Sequence, residues 1–204
     1  MPYFHTQHDL MRTYLRLYSI VSLWCWILFL GYFAYDPGFN SKILWLLTLA
    51  VGLSGLDIVH IRLSWAKGKV KPTVIRLCIH MFIIMLLHLM GSSPRVQLAI
   101  DGRIIIAVAW SFTEIIRHWH ALRELKGKQG EGLTWLRYSG YILFYPISFI
   151  GELLIAYQFM AERSFKMDVY GIICILLICG FLVGYPFLFQ FMGKQRRRKL
   201  RPKV

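Results

Sequence analysis

The chain is poor in acid. Its 204 residues include 10 Asp and Glu against 24 Lys and Arg, a formal net charge of +14. It is also poor in cysteine: Cys25, Cys78, Cys174 and Cys179 all sit in apolar runs, and no CxxC occurs. That argues against a zinc site or a disulfide framework and leaves them as small buried hydrophobes. None is followed by the five residues and arginine of a phosphatase cysteine loop. The one asparagine, Asn40, precedes Ser-Lys and makes no glycosylation acceptor. No glycine-rich phosphate cradle or serine elbow is present. No HxxxH, HxxHH or HExxH occurs, so the multi-histidine ligand set of a di-iron oxidase is missing. Neither a metal nor a cofactor is expected.

What is abundant is hydrocarbon. The composition is 57% hydrophobic, with a mean hydropathy of +0.51, and the apolar residues form long runs rather than short alternations. About 17–25 such residues cross a bilayer core. Six segments approach this: 18–35, 43–59, 73–90, 103–116, 138–159 and 169–192. The fourth is short and needs 98–102 to span. The first follows Arg12 and Arg16 but lacks a small-residue cleavage site, and reads as an uncleaved anchor. The fold expected is an all-α integral membrane protein, a six-transmembrane-helix bundle over residues 1–193. A basic tail, 194–204, is expected to be disordered.

The basic residues lie between these runs, in the pattern of loops facing an anionic cytosolic leaflet rather than of a nucleic-acid-binding surface. Arg12 and Arg16, the 61–72 and 117–137 connections and the tail carry most of them. The other side has only Lys42, Arg95, Arg103, Arg163 and Lys166. Both termini are therefore expected to be cytosolic, which an even number of spans allows. Most tryptophans fall near segment ends, as an interfacial belt would.

Polar groups inside apolar runs are costly and point to function. Asp57 and His60 are three apart, on one helix face, and read either as a paired polar edge or as support for a site. Glu114 and Arg117 have the spacing of an intrahelical ion pair. The sharpest pair is in YILFYPISFIGEL (141–153). Tyr145 and Glu152 are seven apart, two turns along one face, about 10 Å along the axis. Pro146 opens the helix between them by removing a hydrogen bond. A carboxyl in apolar surroundings resists ionisation, which suits a general acid or base. Without metal or nucleotide motifs, the remaining chemistry is proton transfer. Removal of water from a β-hydroxy thioester is one such reaction, permitted but not singled out.

The stretches AWSFTEIIRHWH (109–120), WLRYSGYILFYPISFIGEL (135–153) and LDIVH (56–60) resemble the 3-hydroxyacyl-CoA dehydratases of very-long-chain fatty acid elongation. That family is also called protein tyrosine phosphatase-like. The resemblance implies a six-helix bundle in the endoplasmic reticulum membrane. It implies dehydration of (3R)-3-hydroxyacyl-CoA to trans-2-enoyl-CoA, with the bilayer and other elongation enzymes as partners. It places the catalytic pair on Tyr145 and Glu152, with Arg137, Glu114 and Arg117 matching further family positions. Three positions depart from the family: Ser148 for a glycine, His118 for a tyrosine and Asp57 for a glutamate. Arg123, Lys126, Lys128 and Arg137 are expected to meet the CoA phosphates. The alternative is a non-catalytic membrane adaptor that keeps the fold and binds lipid or elongation partners.

Overall fold

In the computed structural model, residues 3–37, 40–66, 69–91, 101–127, 130–166 and 168–200 are described. They form eight helices and, among the described residues, no strand. The helices are α1 (Tyr3–Tyr35), α2 (Ser41–Ser54), α3 (Leu56–Arg62), α4 (Val70–Met90), α5 (Gly102–Leu125), α6 (Glu131–Ser139), α7 (Tyr141–Glu162) and α8 (Val169–Leu200).

Two short helices are the leading turns of longer ones, or their continuation. Gly55 keeps a right-handed helical backbone between α2 and α3, but its N–H bonds to Gly52 O at 2.9 Å, three residues back. Gly140 joins α6 to α7 with a right-handed helical backbone too, its N–H bonding to Leu136 O, four residues back, at 2.8 Å. Local signals set other ends. Asn40 caps α2 by accepting from the Ile43 N–H, and Asp101 caps α5 by accepting from the Arg103 N–H.

Among the described residues, four stretches are long and apolar enough to cross a membrane: Asp9–Tyr35, Ser41–Arg62, Val70–Met90 and Glu131–Glu162. Val169–Gly184 is a shorter apolar piece. Helix α5 has the length, at about 36 Å for its 24 residues, but carries too many polar side chains to qualify. The expected disorder of the tail is corrected: α8 runs through the basic stretch as far as Leu200. Sustained Gln, Arg, Lys and Leu are good helix formers, so nothing in that stretch stops the helix.

Helix α5 lies against both α1 and α7, and α4 bridges α2 and α7. The α5–α7 crossing is the tightest. A Cβ built on Gly151 would stand 2.7 Å from Ile106 Cγ2, and one on Gly102 2.7 Å from the Gly151 carbonyl oxygen. Two glycines thus let the backbones approach where larger residues could not. One end of the bundle is filled by a buried core that includes Ile83, Leu87, Ile106, Ala107, Ile155 and Phe159. Large apolar side chains such as Trp24, Trp45, Leu143 and Leu176 cover the outside.

Candidate active site

Above that packed core the helices part around a cavity of about 2120 Å³. Tyr145, Ser148 and Glu152 of α7 line it from one wall, and Trp110 and Glu114 of α5 from another. Spacings of three, four and seven residues put the α7 side chains on one helix face, as the sequence pattern requires. The fixed φ and missing N–H of Pro146 leave the Ile142 carbonyl without its helical donor at this point.

Glu152 is 7% exposed. Its Oε1 accepts from Ser148 Oγ at 2.8 Å and from Trp110 Nε1 at 3.1 Å. Trp110 Nε1 also reaches Ser148 Oγ at 2.7 Å. The indole is itself fixed by His80, whose ring stacks on it at 4.0 Å between centroids, 20° from parallel. Neither Oε2 of Glu152 nor the Tyr145 hydroxyl has a hydrogen-bond partner among the described residues. The Tyr145 ring rests edge-on against Tyr141 at 6.4 Å.

One turn further toward the mouth is a cluster of opposite character. Arg117 binds Glu114 through Nε at 2.7 Å, and Nη2 also reaches it. Its Nη1 crosses to Asp57 on α3. Arg76 of α4 donates to Glu114 Oε1 at 2.5 Å and stands 3.8 Å from Asp57 Oδ2. Tyr18 of α1 donates to Asp57 Oδ1 at 2.8 Å. Two carboxylates and two guanidiniums therefore cancel, and one cluster ties α1, α3, α4 and α5 together. Glu114, 1% exposed, could not be buried as an ion without such partners.

The expected Glu114–Arg117 pair is present, but as half of this interhelical quartet. The reading of Asp57 and His60 as a mutually paired edge is corrected. Asp57 goes to Tyr18 and Arg117, whereas His60 Nε2 lies 3.0 Å from the Tyr14 hydroxyl. A same-face spacing brings two groups near each other; stronger partners on neighbouring helices took both. His118 is buried with Nε2 2.9 Å from Arg117 Nη2. Arg137, on α6, reaches His120 Nδ1 at 2.6 Å and packs over Tyr138.

Of the residues expected to meet phosphate, Lys126 and Arg137 line the cavity. Arg123 is exposed on α5 and does not. Lys128 lies outside the described residues. Four residues were missed by the sequence reading: Tyr18, Arg76, Trp110 and Ser148. Arg76 had a usable signal, being a charge inside an apolar run like Glu152. Ser148 reads in the sequence as a departure from a family glycine, which names no partner for its hydroxyl.

The model of the protein tyrosine phosphatase-like family, PTPLA, matches residues 52–202. The "Probable very-long-chain (3R)-3-hydroxyacyl-CoA dehydratase" of Schizosaccharomyces pombe is 24% identical, covering 91% of this chain and 91% of its own. The Arabidopsis thaliana "Very-long-chain (3R)-3-hydroxyacyl-CoA dehydratase PASTICCINO 2" is 25% identical, with 93% of each chain covered. The Homo sapiens "Very-long-chain (3R)-3-hydroxyacyl-CoA dehydratase 2" is 26% identical over 71% of this chain and 61% of that one. No solved structure matches.

Proposed function

The chain belongs to the protein tyrosine phosphatase-like family, and from that premise we propose that it is a very-long-chain (3R)-3-hydroxyacyl-CoA dehydratase. It removes water to leave the trans-2-enoyl-CoA, the third step of an elongation cycle. The observation that carries this reading is the pair of unpartnered oxygens, the Tyr145 hydroxyl and Glu152 Oε2, on one face of α7 beside a large cavity.

The reaction needs one group to take a proton from C2 and another to give one to the hydroxyl on C3. The C2–H electron pair becomes the C2=C3 bond, the C3–O bond breaks, and the hydroxyl leaves as water. Glu152 suits the donor role. With Oε1 occupied as an acceptor, the carboxyl proton belongs on Oε2, facing the open side. Tyr145, as its phenolate, is then assigned to the C2 proton, and the resting pair is restored when that proton returns to the Glu152 carboxylate after water leaves. Each contributes about 10²–10⁴-fold if it acts as a general acid or base.

The cavity mouth suits the CoA end. Lys126 and Arg137 line it, as do Arg12 and Arg16 of α1 and Lys194 and Arg198 of α8. These come from helix ends that the alternating direction of the chain brings to one side. Guanidinium and ammonium groups there favour phosphate. The same asymmetry supports six spans with cytosolic termini, and the family resemblance favours the endoplasmic reticulum membrane. Helix α5 would be the polar span, because its polar side faces the cavity and the ion quartet rather than lipid.

The adaptor reading has less support. Asp57 and His118 both contact Arg117 of the quartet and Ser148 holds Glu152, so all three family departures are engaged at the site. The test is turnover of a (3R)-3-hydroxyacyl-CoA by the purified protein in lipid. Wild-type activity is expected, with loss in both Tyr145→Phe and Glu152→Gln. Full activity in both variants would overturn the assignment.

A further inference from the structure

The cavity has a floor. Its α4 lining stops at Phe82, its α7 lining at Glu152, and its α5 lining begins at Trp110. The residues one turn beyond, Ile83, Ile106, Ala107, Ile155 and Ala156, are buried in the packed core. An acyl chain attached at the Tyr145–Glu152 level therefore has no straight path onward.

The α4 and α8 walls of the cavity do not meet. Among the described residues, no Cα of α4 comes within 8 Å of one of α8, although α7 touches both. The face that α8 turns to this gap is Ile173, Leu176, Gly180, Gly184 and Phe187. Steps of three and four residues keep these on one side over about 21 Å of axis. Opposite them on α4 are Ile75, Cys78 and Phe82. Ile75, Leu176 and Phe187 line the cavity and are 61%, 65% and 70% exposed. Among the described residues nothing packs α4 against α8, and the lining of the gap between them is hydrocarbon.

We propose that the gap between α4 and α8 is a lateral portal through which the substrate's acyl chain extends from the catalytic pair into the bilayer. This rests on the dehydratase reading. It places the CoA at the basic mouth, C2 and C3 beside Tyr145 and Glu152, and the remaining methylenes among lipid tails. Chain length is then not limited by the cavity volume. The two glycines keep the portal wide at the level of the reacting atoms: antiparallel pairs Tyr141–Phe189 and Phe159–Tyr170 set α8 residues near 180 and 184 opposite the middle of α7. A Cβ on Gly180 or Gly184 meets nothing within 4 Å, so a side chain added there would enter open space and not the packed core.

The test is Gly180→Trp and Gly184→Trp, each assayed on (3R)-3-hydroxybutyryl-CoA and on a very-long-chain homologue. The expected result is a fall in kcat/KM that is about ten-fold or more larger for the long substrate than for the short one. Unchanged turnover of both, or equal loss of both, overturns the portal. Inactivity of the wild type on both substrates overturns the dehydratase reading instead. A second measurement needs no turnover. Cys78 and Cys179 are both exposed, and only Cys78 lines the gap. In the Glu152→Gln variant, the long-chain substrate should slow maleimide modification of Cys78 and not of Cys179, while CoA alone slows neither. Equal labelling of Cys78 with and without the long substrate also counts against the portal.

Discussion

Two groups of buried polar side chains stand about one helical turn apart, and they differ in how completely they are paired. In the quartet of Asp57, Arg76, Glu114 and Arg117 the charges cancel and the groups bind one another across three helices. In the α7 group, Glu152 has one oxygen held and one open, and the Tyr145 hydroxyl is open. Burying polar groups is costly in both cases. The quartet recovers that cost within itself and so acts as a clasp. The α7 pair does not, and the proposed catalytic role draws on that unsatisfied capacity. Burial alone would not have separated the two; the partner inventory does.

The comparison breaks most sharply if the α7 pair proves structural. Glu152→Gln keeps the shape and the acceptor oxygen for Ser148 and Trp110 but removes the acidic proton. It is expected to cut kcat by about 10²–10⁴-fold with little change in unfolding midpoint. Tyr145→Phe should behave alike. A large loss of stability with activity per folded molecule preserved would place Glu152 with the clasp instead.

The converse applies to the quartet. Arg117→Ala leaves Glu114 and Asp57 facing each other with only Arg76 between. Breaking a buried pair from one side costs about 3–5 kcal/mol. Unfolding followed in detergent should show that loss, whereas Arg117→Lys, which keeps the charge but not the fork, should lose less. If the stability of Arg117→Ala equals that of the wild type, the clasp role fails.

Much of this was legible beforehand, and the limits have physical causes. Helix content and the α4 and α7 segments followed from apolar run length, because a span must satisfy its own backbone and fill the hydrocarbon core. Tyr145 and Glu152 shared a face by spacing alone. What spacing cannot supply is the neighbour on another helix. Asp57 and His60 looked like partners, but Tyr18 and Tyr14 on α1 lie nearer to their polar atoms. Trp110 reads as one more aromatic in an apolar run until its indole N–H is seen at Ser148. The basic end of α8 was read as a tail because charge runs usually are, yet Lys194 and Arg198 continue the cavity wall.

A smaller effect tests how the two groups are coupled through α5. Gly151→Ala adds one methyl at the α5–α7 crossing, where Ile106 Cγ2 would be 2.7 Å away. Overpacking of this kind costs about 1–3 kcal/mol. Because Glu152 is the next residue, the helix displacement should lower kcat along with stability. Stability lost without any change in kcat would mean that the crossing supports the core and does not set the position of the carboxyl.

The smallest expected effect concerns Ser148. Its hydroxyl donates to Glu152 Oε1 and accepts from Trp110, so it fixes which carboxyl oxygen is held and which faces the cavity. Ser148→Ala removes one donor from Oε1 while Trp110 Nε1 remains at 3.1 Å. A hydrogen bond to such a group is worth about 0.5–1.5 kcal/mol net, or roughly two- to thirteen-fold in kcat. KM should hold, because Ser148 orients the acid and does not bear the acyl chain. Trp110→Phe should produce a similar loss. The double variant should lose less than the product of the two, since each removes a bond to the same oxygen and the Trp110–Ser148 bond is lost in either. Ser148→Thr, which keeps the hydroxyl, should restore kcat. If the two losses instead multiply independently, Ser148 and Trp110 do not act through one oxygen of Glu152, and the assignment of Oε2 as the reacting atom loses its basis.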